Sequence, residues 1–458
     1  MQFSPSKAIL LLLLMIPCAG LWSAGSAAAA DKQETSQAHE PETTSPEPKR
    51  ELNLDFDKGL KRLFGLERGG NQLTDESFIY WDRGLVVESF VPGRFKALIG
   101  FWGDYDLGYL DPDSNVAAAY PATNESGGEL RRLRVYVQGY FLQYFEYKFQ
   151  ADITGDAQDR VDLWVGLKDI PKDGYVRMGY QKEPFSLEML ISASNTTMME
   201  RSLVNALAPG RNWGVQGMTT FFEERMTAAL SLSNDNDEPF TSFGDLQDYT
   251  MRLTYLPRYE NKGADLWHVG FNYSYRTGGD SLKYSTRPEC YLATDRLINT
   301  ENFYFNRAYN VGLEGIWKRG PTYAQGEVIT SLADTDEGSR SFTGFYVQGS
   351  HFLTGEQRPY DRQRGIFGQV VPKEFFDIGK GSGWGAWEVA ARLSYLDLNS
   401  GNIRGGRETD LTLGLNWYLN RKFRIMINYV YASVTDQPTL AGDSGVFQCL
   451  QTRLQFYF

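Results

Sequence analysis

The sequence has few of the residue types that build metal centres and catalytic sites. Its 458 residues include three histidines and three cysteines. His39, His268 and His351 are widely separated and form no metal-binding spacing or Ser-His pattern. We therefore expect no metal, no cofactor and no enzymatic activity.

Positive charge and long apolar runs are also scarce. Lys and Arg number 46 against 57 Asp and Glu, a net charge of -11, which argues against nucleic acid as a partner. One apolar run, residues 8–16, follows Lys7, and small residues continue to Ala30. This run is too short for a spanning helix and is typical of a cleaved signal peptide. We predict a signal peptide at residues 1–30.

Two short regions follow the predicted signal peptide. Residues 31–50 have almost no apolar side chains and are predicted to be a disordered linker. Leucine and phenylalanine then recur at helical spacing, so residues 51–93 are predicted to be an N-terminal periplasmic segment with a short helix. Cys290 and Cys449 are the cysteines of the remaining chain, and an exported protein can hold such a pair bridged or free.

Aromatic residues and a period of two dominate the rest of the chain. Aromatics make up 14% of the residues. From about residue 94 to residue 458, apolar and polar side chains alternate, as in RLRVYVQG (132–139), TDLTLGLNWYL (409–419) and FRIMINYVYASV (423–434). Each such segment has roughly the ten residues that a tilted strand needs to cross a bilayer.

The two faces of these segments differ in charge. Leu133, Val135 and Val137 share an apolar face with Leu411 and Leu413. The opposite face carries Arg134, Glu146, Lys148, Asp162, Arg177, Arg252, Arg276, Glu314, Lys318, Glu327, Glu388, Arg392, Arg424 and Arg453. A water-soluble barrel also alternates, but about sixteen strands enclose a lumen too wide for side chains to fill. No helical segments are available to cover an apolar exterior. We therefore predict an all-β fold, a transmembrane antiparallel β-barrel over residues 94–458.

Connection lengths agree with this prediction. Short links at 171–174, 319–321 and 420–422 fall on one side, as expected for periplasmic turns. Long links such as 183–211 fall mostly on the other side. One link breaks the rule, because residues 355–383 are long but periplasmic by strand count.

Several stretches resemble one family. They are KEPFSLEML (182–190), MMERSLVNALAPGRNWGV (198–215), FLTGEQRPYD (352–361), GAWEVAARLSYLDL (385–398), GLNWYLNRKFRIMINYVYA (414–432) and RLQFYF (453–458). In these stretches the chain is similar to the phosphate-selective porin O and P family of Gram-negative outer membranes. The resemblance implies a barrel of about sixteen strands, commonly a homotrimer. From the apolar face and the surface loops we expect membrane lipid and lipopolysaccharide as partners. The terminal Phe458 resembles the signal by which the outer-membrane assembly machinery recognises its clients. The family resemblance also implies that the third external loop, 183–211, folds into the lumen, and 355–383 looks like a second infolded segment.

The resemblance implies arginines along the lumen and lysines at the constriction, because a desolvated anion needs charged donors. The pattern is only partly met, because no lysine lies between Phe185 and Met199 and because Glu183, Glu188 and Glu200 balance the basic residues of the loop. The channel-lining or anion-binding candidates are Lys182, Arg201, Arg211, Arg134, Arg177, Arg358, Arg362, Arg392 and Arg453. Each arginine has the alternative role of pinning a loop or wall carboxylate.

The favoured function is a porin for passive diffusion of small hydrophilic solutes, with anions including phosphate as expected solutes. The alternatives are a structural or adhesive barrel and a porin without phosphate selectivity. The final segment, QTRLQFYF, is predicted to close the barrel against the first strand. Leu454, Phe456 and Phe458 would then face lipid, and Arg453 and Tyr457 would face inward.

Overall fold

The computed structural model describes residues 77–458, except 82–83, 90–92, 125, 155–158, 235–238, 279–280, 378 and 380–382. The predicted signal peptide (1–30), the predicted linker (31–50) and the predicted helix before residue 77 lie outside the described residues. Within the described part of the chain, no helix is long and apolar enough to cross a membrane.

Sixteen long strands form one closed antiparallel barrel. The strands are β3 (Phe95–Pro112), β4 (Gly127–Phe141), β5 (Phe145–Asp152), β6 (Asp159–Ile170), β7 (Gly174–Lys182), β8 (Arg211–Phe221), β9 (Met226–Asn234), β10 (Asp248–Glu260), β11 (Asp265–Thr277), β16 (Arg307–Arg319), β17 (Thr322–Thr335), β18 (Gly338–Phe352), β21 (Ala386–Ser400), β22 (Ile403–Tyr418), β23 (Phe423–Thr435) and β24 (Ser444–Tyr457). Each pairs with the next one along the chain, so the predicted fold class is confirmed.

The alternation of the sequence becomes the outer and inner faces of this barrel. Val135 and Leu413 are 41% and 47% exposed on the outside, whereas their neighbours Arg134 and Thr412 point inward. Thr412 is 1% exposed. An apolar outer surface and a charged interior are the arrangement that a bilayer-spanning barrel requires.

The last strand closes the barrel against the first, as predicted. Pairing runs from Phe447 opposite Pro112 to Tyr457 opposite Trp102, and the amide of Phe458 then donates to the carbonyl of Phe101 at 2.8 Å. The first barrel strand is the longest of the sixteen, with 18 residues from Phe95 to Pro112.

A hairpin that the sequence did not reveal precedes the barrel. Its strands are β1 (Ser77–Trp81) and β2 (Leu85–Ser89). β2 pairs with the start of β3, from Leu85 opposite Ile99 to Glu88 opposite Lys96. The hairpin therefore occupies the edge of β3 that the C-terminal strand β24 leaves open.

Short turns join most strands at one end of the barrel and longer loops join most of them at the other. By the general rule for outer-membrane barrels, we call the first end periplasmic and the second external. Three connections matter for the interior: the third external loop (183–210), the fifth external loop (278–306) and the infolded link (353–385). The third loop contains α2 (Leu187–Leu190) and the 3-10 turns Ala193–Asn195 and Leu203–Leu207.

The remaining helices, 3-10 turns and strands outside the barrel wall are short. These are α1 (Ser114–Ala119), the 3-10 turns Pro121–Asn124, Phe243–Asp245, Asn261–Gly263 and Ala441–Asp443, the fifth-loop strands β12 (Ser281–Leu282), β13 (Ser285–Thr286), β14 (Ile298–Asn299) and β15 (Phe303–Tyr304), and the infolded strands β19 (Tyr360–Asp361) and β20 (Ile366–Phe367).

Candidate channel and its cation cluster

The third external loop packs into the barrel through apolar side chains. Phe185, Leu203 and Val204 are at most 1% exposed and belong to one buried cluster with Ile329 of β17 and Leu396 of β21. Burying these side chains against the wall stabilises the loop inside the lumen by the hydrophobic effect. The predicted infolding of this loop is confirmed.

Polar contacts fix the same loop more exactly in place. The carboxylate of Glu327 on β17 accepts the backbone amides of Leu187 and Glu188 at 2.9 and 2.7 Å, at the start of α2. The Glu188 side chain accepts from the guanidinium of Arg392 at 2.9 Å and from the amide of Ser202 at 3.0 Å. The loop is therefore tied to two different strands of the wall.

The infolded link is held by wall side chains that donate to its backbone. Lys318 donates to the carbonyl of Arg358 at 2.6 Å, and Arg252 donates to the carbonyl of Gly365 at 2.8 Å. Arg358 itself donates to the hydroxyl of Tyr323 at 2.8 Å. The predicted infolding of this periplasmic link is confirmed, and it explains why the link is long on the short-turn side.

The fifth external loop also enters the lumen, which the sequence did not predict. The Glu289 side chain accepts from Arg392 at 2.8 Å, and its backbone amide donates to Asp410 at 2.9 Å. Together, these three segments fill the interior beside β16–β24.

A cavity of about 770 Å³ remains beside β3–β10. Its lining reaches from Lys96 and Lys168, near the periplasmic ends of their strands, to Arg131 and Arg211, near the external ends. The cavity therefore extends along the barrel wall, as a path for solutes requires.

The lining of this cavity is strongly basic although the whole chain is acidic. Twelve basic side chains line it: Lys96, Arg131, Arg132, Arg134, Lys148, Lys168, Arg177, Lys182, Arg201, Arg211, Arg252 and Arg364. The acidic side chains in the lining are Glu146, Asp162 and Asp361. Local charge, rather than the net charge of the chain, decides which ions enter such a path.

Several of these cations are paired with carboxylates of the wall. Arg134 contacts Asp152 at 2.9 Å, and Arg177 contacts Glu146 at 2.7 Å. Such pairing reduces the field that a cation projects into the cavity. The field that Arg134 and Arg177 project into the cavity is therefore weaker than that of a cation without a carboxylate partner.

Four cations of the cavity lining lie where the third loop meets β5–β8, and two of them contact the same carboxylate. Lys148 contacts Asp162 at 2.5 Å, and Arg211 contacts the same carboxylate at 3.1 Å. Within the described residues, Lys182 and Arg201 contact no carboxylate. We call Lys148, Lys182, Arg201 and Arg211 the cation cluster.

Lys182 and Arg201 instead donate to backbone carbonyls of the third loop. Both reach the carbonyl of Ile191, at 3.2 Å from Lys182 Nζ and 3.1 Å from Arg201 Nη2. Arg201 also donates through Nε to the carbonyl of Glu188 at 3.2 Å. Neutral carbonyls orient these cations without cancelling their charge.

Glu200 does not balance Arg201, contrary to the expectation from their adjacency. Its carboxylate contacts Arg131, Arg132 and Arg453 at 3.2, 3.3 and 2.6 Å. Burial raises the pKa of Glu200, but these three guanidinium groups outweigh burial and hold the pKa well below its usual value. Glu200 therefore stays ionised in acidic solution.

The structure divides the nine predicted candidates into two groups. Lys182, Arg201, Arg211, Arg134 and Arg177 line the cavity. Arg358, Arg362, Arg392 and Arg453 lie outside its lining. Arg392 and Arg453 are buried in ion pairs with Glu289 and Asp106, and Arg358 is pinned to Tyr323. Arg362 pairs with Glu224 near the periplasmic turn after β8.

One lining residue was missed because the strand is irregular. Tyr105 pairs with Leu130 while Asp104 pairs with Arg132, so Arg131 is the extra residue of a β-bulge. Strict alternation from Leu133 would place Arg131 on the lipid side. The bulge turns it inward, where its guanidinium lies over the Tyr291 ring, 3.2 Å from the centroid.

Lys148 and Arg252 were assigned to the inner face by the same alternation but were not singled out as site residues. Both line the cavity, so the alternation of β5 and β10 was sufficient to identify them as candidate lining residues. Arg364 lines the cavity from the infolded link, where no periodicity applies.

Comparison with known proteins gives three kinds of match. The family model described as "Phosphate-selective porin O and P" matches residues 95–458. Porin O of Pseudomonas aeruginosa is 26% identical over 390 residues, which cover 77% of this chain and 85% of that protein. The solved structure of an anion-selective porin from Comamonas acidovorans has a TM-score of 0.50 and 13% identity, covering 79% of this chain and all of that one. This last likeness concerns the fold alone.

Proposed function

The chain belongs to the phosphate-selective porin O and P family, and from that premise we propose that its passive outer-membrane channel prefers small anions, phosphate among them. The observation that carries the preference is the cation cluster: Lys148 and Arg211 contact the carboxylate of Asp162, and among the described residues Lys182 and Arg201 contact no carboxylate. The solute moves down its concentration gradient, so no covalent step is required.

The cluster suits an anion because its donors are already oriented. The bonds of Arg201 to loop carbonyls use Nε and Nη2, so within the described residues Nη1 is left for a solute. Arg211 contacts Asp162 through Nε, which leaves its terminal nitrogens available in the same way. A guanidinium can donate two parallel hydrogen bonds to the oxygens of a phosphate. These contacts replace part of the hydration that an anion loses on entering a narrow path.

The paired arginines support the same proposal at longer range. Arg134 and Arg177 line the same cavity beside the cluster, and each shares its charge with one carboxylate. A path of weaker basic positions on either side of a stronger one lets an anion enter and leave. Tight binding at a single position would instead trap it.

Conductance of the purified protein in a planar bilayer tests this proposal. We expect stepwise currents in potassium chloride, and we expect added phosphate at submillimolar concentration to reduce the chloride current. Steps without reduction by phosphate would indicate a porin without phosphate selectivity. A complete absence of steps would favour the structural or adhesive barrel.

We further propose that the mature protein begins after residue 30 and assembles as a homotrimer in contact with lipid and lipopolysaccharide. The apolar run and small residues at 1–30 support cleavage. N-terminal sequencing of protein from the outer membrane tests the cleavage, and light scattering of unheated protein in detergent tests the trimer. A start at Met1, or a monomer mass, would overturn the respective proposal.

A further inference from the structure

Two cysteines that are distant in the sequence meet inside the barrel. Cys290 belongs to the fifth external loop and Cys449 to β24, and their Sγ atoms are 2.9 Å apart. Both side chains are buried, at 0% and 1% exposure. A disulfide bond requires about 2.05 Å between the sulfurs, so a small adjustment joins them. We propose that Cys290 and Cys449 form a disulfide that ties the fifth external loop to the barrel wall.

Contacts on both sides of Cys290 hold the two sulfurs together. On one side, the carbonyl of Glu289 accepts from the side chain of Gln451 at 2.8 Å. On the other side, Leu292 packs so closely on Gly108 of β3 that any added Cβ would collide with it. The loop around Cys290 therefore packs on two neighbouring strands of the wall, β24 and β3, so its position next to Cys449 does not rest on a single contact.

The cellular location of the protein supplies the oxidant that disulfide formation needs. A protein on its way to the outer membrane crosses the oxidising periplasm, where disulfides form and persist. Two S–H bonds break and one S–S bond forms. The two electrons and two protons pass to the disulfide of a periplasmic thiol-disulfide oxidoreductase, which becomes a dithiol. Once the loop is folded, burial of both sulfurs shields the bond from reductants.

The disulfide influences the solute path by way of Tyr291, the residue that follows Cys290 in the loop. The ring of Tyr291 lies beneath the guanidinium of Arg131, and Arg131 lines the cavity. Fixing Cys290 therefore fixes an aromatic ring behind a lining cation. The bond also closes a long loop, since the two cysteines are 159 positions apart, and such a constraint disfavours the unfolded chain.

Peptide mapping tests the bond directly. Protein from the outer membrane is denatured with N-ethylmaleimide, which traps free thiols, and is then digested with trypsin. We expect the peptides 284–296 and 425–453 to appear as one linked species that separates on reduction. Recovery of both peptides carrying maleimide, without the linked species, would overturn the proposal.

Single and double variants provide the controls. Cys290→Ser leaves Cys449 reactive to maleimide in the denatured protein, and Cys449→Ser does the same for Cys290.

Heat unfolding gives a second test. We expect a reductant that reaches the sulfurs on heating to lower the unfolding temperature of the unaltered protein. The variant with both substitutions should show no shift. An equal shift in the double variant would contradict the disulfide, and neither result depends on anion preference.

Discussion

The guanidinium of Arg201 donates to the carbonyl oxygen of Ile191 at 3.1 Å, while its chain neighbour Glu200 contacts Arg131, Arg132 and Arg453. The sequence left open whether Arg201 clamps its loop or contacts an anion. The geometry allows both, because a clamp on carbonyls holds the loop and leaves the positive charge in place.

Removing the charge of Arg201 should weaken anion preference. We expect Arg201→Ala to move the zero-current potential in a salt gradient toward zero, because the cluster loses one of its four cations. Arg201→Lys should retain most of the preference. Arg362→Ala is the matched control, since Arg362 pairs with Glu224 outside the cavity lining. An unaltered potential in Arg201→Ala would assign Arg201 a purely structural role.

Removing the carboxylate of Asp162 should have the opposite effect. In the part of the chain that the structure describes, Asp162 is the one carboxylate that contacts the cation cluster, through Lys148 and Arg211. We expect Asp162→Asn to strengthen block of the chloride current by phosphate roughly fivefold, equivalent to ~1 kcal/mol. Titration of the single-channel current with phosphate measures this. Weaker block in the variant would show that Asp162 is needed to position the cations.

Glu200 should limit the charge presented at the external end of the cavity. We expect Glu200→Gln to increase anion preference, because Arg131 and Arg132 then lose a shared carboxylate. Since the pKa of Glu200 is held well below its usual value, the side chain keeps its charge as the pH falls through the ordinary glutamate range. Acidification to about pH 5 should therefore not reproduce the effect of the substitution. Reversal potentials at both pH values for both proteins decide this.

The buried contacts of Arg392 should matter for stability rather than selectivity. Arg392 joins Glu188 of the third loop to Glu289 of the fifth. Arg392→Leu leaves both carboxylates buried without their cation, which costs about 3–5 kcal/mol of folding free energy. We expect a clearly lower midpoint of heat unfolding in detergent.

An exposed ion pair gives the control for that substitution. Arg407 contacts Asp397 and Asp436 with 43% of its side chain exposed. Arg407→Leu should change stability by about 0–1 kcal/mol, because solvent screens such a pair. Equal effects of the two substitutions would contradict a special role of the buried network.

Alternation predicted most of the barrel because each strand has one lipid face and one inner face. It placed Arg134 and Arg177 correctly on the inner face. It could not separate them from Arg453, whose guanidinium is buried against Asp106 by the folded-in loops. Which inner positions meet water depends on contacts between residues far apart in the chain, and a local period carries no information about these.

Three further differences between the sequence prediction and the structure have separate causes. The bulge at Arg131 reverses the face of that residue, and a period of two has no means of signalling it. The inward course of the fifth loop depends on contacts of Glu289 with Arg392 and Asp410, which are more than 100 positions away. The hairpin at 77–89 was hidden because its strands are only five residues long.

The zero-current potential of the unaltered protein in a potassium chloride gradient tests the central claim most directly. A basic path whose cation cluster is only partly neutralised predicts a potential with the sign of chloride permeating faster than potassium. A potential of the opposite sign, with potassium permeating faster, would contradict the claim that the cation cluster governs the channel.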